Sequence, residues 1–165
     1  MSGQTTVELR IENATPGLIS DIHSNNEIVS RAAQVTPPAQ IVFGLVVGRG
    51  TNPDDQAIPG GSPTNFLGVT VRSVGKEGIQ NALVLAYSNT EAMAIMREGR
   101  IFATCPTGCV PGDVVNFVNA TGVLDSGAAI ADETNIVGAS WESTTAAGKV
   151  GLLRLKRDSA LTAGS

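Results

Sequence analysis

Residues 67 to 72 alternate strictly, with Leu67, Val69 and Val71 apolar and Gly68, Thr70 and Arg72 between them. Period two over such a stretch predicts a strand with one face in a core. In IVFGLVV at 41 to 47 the bulky Ile41, Phe43, Leu45 and Val47 hold the odd positions and Gly44 sits on the even face, which predicts a second strand of that kind. Further strands are expected at 82–87, 100–105, 113–118, 135–141 and 149–155. The last puts Val150 and Leu152 on one face but Leu153 and Leu155 on the other. Either both of its faces are covered, or Gly151 marks a bulge.

The intervening segments read as turns and loops. VGKEG at 74–78 is an expected turn, 119–134 a polar stretch, and 48–65 a solvated loop punctuated by proline and glycine. Asp54 and Asp55 in that loop lack the alternating acidic spacing and fixed glycine of a calcium loop. Residues 89–99, NTEAMAIMREG, are in conflict with the rest. Thr90 as N-cap, Glu91 in the first turn and Gly99 after Arg97 spell a short helix by local rules. A helix of that length is marginal in isolation, and it would interrupt a run of strands.

Before residue 41 the pattern is different. Residues 1 to about 40 are polar and weakly periodic, with apolar side chains in isolated groups at Leu18, Ile19, Ile22, Ile28 and Val29 before the step Pro37-Pro38. So few anchors do not readily offset the entropy of ordering the segment alone. We expect an extended N-terminal arm over 1–40 that drapes over a partner through those five residues, a β domain over 41–157 and a C-terminal tail over 158–165. A helix over 24–34 packed on the domain is the alternative for part of the arm.

Composition supports the strand-rich reading. The 165 residues can close one core, only 4% are aromatic, and 19 Gly and 8 Pro scattered along the chain favour short strands and turns over long helices. Net charge is −4 with 11 Lys and Arg and no basic cluster, so neither nucleic acid nor an anionic membrane is an expected partner. The N-terminus has no basic start followed by an apolar run, and the longest apolar stretch, 41–48, falls far short of the ~20 residues of a spanning helix. A soluble protein outside the general export route is expected, in which the sequons at Asn13 and Asn119 have no consequence.

Candidate chemistry is sparse. Cys105 and Cys109 frame CPTGC, and His23 is the single histidine, so a four-ligand zinc site within one chain is not expected. A thioredoxin-type pair has two intervening residues and opens a helix, whereas here Pro106-Thr107-Gly108 intervene and Pro111-Gly112 follows, the favoured centre of a type II turn. The segment reads as a strand connection that carries thiols, with a disulfide across its tip left open. Asp21, His23 and Ser24 are adjacent in the arm, where catalytic partners lack a rigid scaffold. No cofactor and no metal is expected. Trp141, the only tryptophan, is expected to be buried as a core or oligomer anchor.

From residue 111 the order of elements resembles the structural cement or decoration proteins of tailed bacteriophage heads. The resemblance rests on Pro111-Gly112-Asp113-Val114-Val115, Asn119-Ala120-Thr121-Gly122, Gly138-Ala139-Ser140-Trp141-Glu142, and Ala147-Gly148 leading into Leu152-Leu153-Arg154-Leu155. It covers roughly residues 40 to 157, and Pro16-Gly17 and Ser20-Asp21 resemble the family's extended arms. It implies an all-β fold, a small β-barrel or jelly-roll-like domain, with a strand where Ala92 to Met96 read locally as helix. It also implies a homo-oligomer, dimer or trimer, bound to the outside of the capsid and joining neighbouring major capsid protein subunits. The function expected is therefore a non-enzymatic virion protein. A small all-β hydrolase using dispersed carboxylates and a sugar- or receptor-binding β module are the alternatives.

Overall fold

In the computed structural model, residues 14–20, 26–73, 86–156 and 160–163 are described. They form twelve β-strands and no helix: β1 (Glu27–Ala33), β2 (Ile41–Val42), β3 (Val46–Arg49), β4 (Gln56–Pro59), β5 (Phe66–Thr70), β6 (Ala86–Tyr87), β7 (Ala92–Cys105), β8 (Val114–Val118), β9 (Leu124–Ser126), β10 (Glu133–Trp141), β11 (Lys149–Leu155) and β12 (Ala160–Ala163). The protein is all-β, as expected. The segment that obeys local helix rules at 89–99 lies largely within β7, where strand neighbours on both sides override propensity.

Strands β1, β4, β3, β5 and β7 pair in that order, and β1 pairs β7 to close a five-stranded barrel. Its one parallel pair is β1 with β4; the others are antiparallel. Strand β7 then continues out of the barrel. Its fourteen residues cover about 46 Å at 3.3 Å per residue. The N-terminal half belongs to the barrel, and the half from Gly99 to Cys105 pairs residue for residue with β11. A shift in register opposite Glu27 and Ile28 leaves Arg97 as an extra residue at the crossover. Beyond β11 lie β10, β8 and β9, with β12 also paired to β10.

Two cores result. One gathers Ala33, Ile41, Phe43, Val47, Ala57, Leu67, Tyr87, Met93 and Ile95 from barrel strands and from the small β2–β6 sheet. Tyr87 lies edge-on to Phe43 with ring centroids 5.1 Å apart, and its hydroxyl donates to the Val71 carbonyl at 2.6 Å. Burial pushes its phenol above the usual range. The other core holds a row across the barrel wall, Val46, Val69 and Met96, together with Ile101, Phe117, Ile136, Trp141 and Leu153 of the outer sheet.

Several expectations change at this level. The run at 41–47 is not one strand, because the chain turns at Phe43-Gly44 and the two ends join different sheets. Residues 67–72 are not half-buried: Leu67, Gly68, Val69 and Thr70 are all buried. A register shift makes Leu67 the extra residue between Val47↔Gly68 and Gly48↔Phe66, so Leu67 enters the barrel core and Val69 the outer one. The loop at 48–65 contains β4, which closes against β1 and β3. Residues 27–33 form a strand, not a helix, and 160–163 of the expected tail also pair as a strand. The expected turn at 74–78 and residues 82–85 lie outside the described residues.

At Gly68 a Cβ would meet the Met96 carbonyl oxygen at 2.2 Å, so the β5–β7 contact has no room for a side chain. Gly68→Ala should therefore cost at least the ~1–3 kcal/mol of an overpacked core position. Urea denaturation should show the loss as a lower midpoint with unchanged slope.

Candidate functional site

Residues 105–113 form the tip of the outer sheet. After Cys105 the chain bends through Pro106 and Thr107, and Gly108 N–H donates back to the Cys105 carbonyl at 3.3 Å. Cys109 pairs with Thr145 in an isolated bridge. Val110 to Asp113 then make the expected turn: Asp113 N–H donates to the Val110 carbonyl at 3.1 Å, and Gly112 takes a φ of +94°. The Asp113 carboxylate accepts from Val110 N–H at 2.8 Å, which closes the turn from the other side.

Both sulfurs are buried and are present as thiols. Cys109 donates to the Ser143 carbonyl at 3.3 Å, and Cys105 lies 3.8 Å from an Asp125 carboxylate oxygen. Burial, and then the neighbouring Cys105 and Asp113, push the Cys109 thiol up to about 12. It therefore stays protonated at neutral pH and is a poor nucleophile. Asp125 also accepts from the Thr107 hydroxyl, and Ser126 Oγ donates to the Gly108 carbonyl at 2.5 Å. Its carboxylate holds a loop together.

Trp141 is fully buried beside this tip. Its Nε1–H donates to the Asp125 carbonyl at 3.2 Å, so the polar end of the ring is satisfied while the rest fills the outer core. Gly151 lies beneath it. A Cβ there would come within 3.1 Å of the indole Cε3 and Cζ3 and of Cys109 Sγ. Gly151 is thus not a bulge, since β11 keeps perfect register with β7; it is the seat of the indole. The sequence held the signal, a glycine inside an apolar strand, but not the identity of what approaches it.

The five arm residues have separate fates. Ile19 bridges to Ile101 and packs on the outer core, and Val29 packs on the barrel core. Leu18 and Ile28 are 44% and 45% exposed. Ile22 lies outside the described residues, as do Asp21, His23 and Ser24. Residues 17–20 run alongside β7: Gly17 N–H donates to the Phe102 carbonyl at 2.7 Å, Phe102 N–H to the Leu18 carbonyl at 2.9 Å, and Ser20 N–H to the Arg100 carbonyl at 3.1 Å. Part of the expected arm is therefore bound into the domain edge, with Leu18 and Ile28 as its outward apolar side chains. Val110, Val114, Ile130 and Val137 are the other large apolar residues exposed among the described ones. Sequence reasoning did not single these out.

Among the described residues no three His, Cys, Asp or Glu are placed to hold a metal ion. Surface ion pairs among the described residues join Glu142 to Arg100 at 2.6 Å and to Arg154 at 3.7 Å, and Arg97 to Glu27 at 2.8 Å. An open groove of about 780 Å³ lies beside the C-terminal ends of β1 and β4, lined by Ala33, Val35, Pro37, Ile58, Pro59 and Asn89 among others. No helix of the described residues is long and apolar enough to cross a membrane.

The described residues thus form a closed β-barrel with an added sheet, an edge that carries an N-terminal segment, and loops tied by polar contacts. The family model for structural cement proteins (E217 gp24/Pam3 gp6) matches residues 3–156. The chain belongs to this family of phage structural proteins, and its role is a structural one in the virion. No curated protein matches the chain.

Replacing Trp141 by Ala should cost ~3–5 kcal/mol, as for other fully buried aromatic residues. Chemical denaturation measures the loss, and the wild-type emission should be blue-shifted until the protein unfolds.

Proposed function

We propose that the protein binds the outside of the phage head and cements neighbouring major capsid protein subunits. The match to structural cement proteins over residues 3–156 carries this reading. The outward placement of Leu18, in the stretch bonded beside the second half of β7, and of Ile28, in β1 beside its first half, supports it. Such residues add contact area to a partner without being withdrawn from the core. With 44% and 45% of their surface still exposed, Leu18 and Ile28 can each contribute roughly half of the 1.5–3 kcal/mol of a fully transferred side chain, and many symmetric copies acting together multiply that modest gain. The protein acts as a homo-oligomer, a dimer or trimer, so that one assembly spans several capsid subunits. Residues 1–13, which lie outside the described residues, are assigned to the same contact in this proposal.

The division of labour within the N-terminal region follows from the pairing. Removing residues 1–30 would take Glu27 to Ser30 out of β1, the strand that closes the barrel, and would destroy the domain along with the contact. A cut after residue 13 spares every described strand.

Co-sedimentation with purified expanded capsids tests the reading directly. The full chain should bind saturably, and Leu18→Asp combined with Ile28→Asp should weaken binding by tenfold or more while shifting thermal stability little. Deletion of residues 1–13 should weaken it further. Undiminished binding by the double variant would remove these side chains from the interface, and no binding by the full chain would overturn the proposal.

A further inference from the structure

Two thiols lie in one core contact, and the structural role uses neither. Cys105 ends β7 and is fully buried, while Cys109 is 4% exposed. They belong to the same apolar cluster, where Cys105 is close enough to hold the Cys109 proton more firmly. The three residues between them form a closed turn: Gly108 N–H and Gly148 N–H both donate to the Cys105 carbonyl, at 3.3 and 2.9 Å. Cys109 is held in turn by its bridge to Thr145. The backbone on either side thus closes a short turn that returns Cys109 to the apolar cluster Cys105 occupies.

We propose that Cys105 and Cys109 form an oxidation site, a dithiol that closes to an intrachain disulfide when the protein meets a small-molecule disulfide such as glutathione disulfide. When the tip opens locally and exposes a sulfur, the thiolate of one cysteine attacks a glutathione sulfur, forming a mixed disulfide and releasing one glutathione thiolate. The second cysteine then attacks the protein sulfur and releases the other. Two protein thiols lose two electrons, one glutathione disulfide gains them, and the two protons end on the glutathione thiols. The new bond latches the end of β7 to the 109–145 bridge beneath Trp141.

Burial sets the character of this site. With the sulfurs turned inward, closure within the chain is favoured over cross-links between copies. The protonated state of Cys109 makes it slow at neutral pH. A reducing compartment keeps the dithiol, and release into an oxidising medium lets the latch close over time. None of this depends on what the protein binds.

The test uses the isolated full chain, incubated with glutathione disulfide, quenched in acid, alkylated in denaturant and weighed intact. We expect a loss of two hydrogen atoms with neither cysteine alkylated, faster at higher pH, and no covalent dimer on a non-reducing gel. The oxidised protein should melt roughly 4–8 °C higher, as expected for a short loop closed in a domain of this size, and dithiothreitol should reverse the gain. Cys109→Ser should give only an adduct or a free thiol. Should wild-type protein retain two alkylatable cysteines under conditions that oxidise an unfolded control, or yield only glutathione adducts or dimers, the site is not a latch. A closed bond without a rise in melting temperature would remove the stabilising role. Wild-type alkylation decides the matter even where the serine variant does not fold.

Discussion

Strand β7 is the constraint on which the other elements depend. Within one continuous stretch it supplies hydrogen bonds to β1 and β5 in the barrel, to β11 in the outer sheet and to residues 17–20 at the domain edge. Closing the barrel satisfies sheet edges that would otherwise invite pairing with another chain. Only a strand free to leave the barrel, with Arg97 as the extra residue at the crossover, can also anchor a second sheet. The same strand separates two cores, since Met93 and Ile95 face one and Met96, Ile101 and Ala103 the other.

The far end of β7 shows how packing assigns roles to residues whose chemistry suggests something else. Cysteines, aspartates, serines and a tryptophan meet there, an inventory that would suit catalysis. Their partners are loop amides and carbonyls, however, and the thiol of Cys109 is held protonated. The indole rests on Gly151, its N–H is bound to the Asp125 carbonyl, and Asp125 in turn ties down Thr107. Rigid polar contacts of this kind fix the connections between strands.

That division fits a cement protein. Binding many equivalent positions on a shell requires a domain that keeps its shape and a modest apolar contact repeated by symmetry. The barrel supplies the first. For the second, the proposed contact is Leu18 and Ile28, which the fold leaves outward while Ile19 and Val29, partly buried, pack against its cores, a partition that the polar sequence around them gives no means to foresee.

By itself the sequence determined the all-β class, the strands at 100–105, 113–118, 135–141 and 149–155, the turn at Pro111-Gly112 and, through the order of weak motifs after it, the family. These are local matters: β-branched runs, glycine and proline at bends, and their succession along the chain. Only the tertiary structure decided which faces are buried and what closes the barrel. β1, read as arm, and β4, read as loop, carry little apolar pattern of their own and become strands because β7 and β3 offer them unpaired backbone. The clearest alternation in the chain, at 67–72, gave the wrong burial because one extra residue at Leu67 turns its side chain to the other core. Register between strands remote in sequence determines that, and no window along the chain contains both partners.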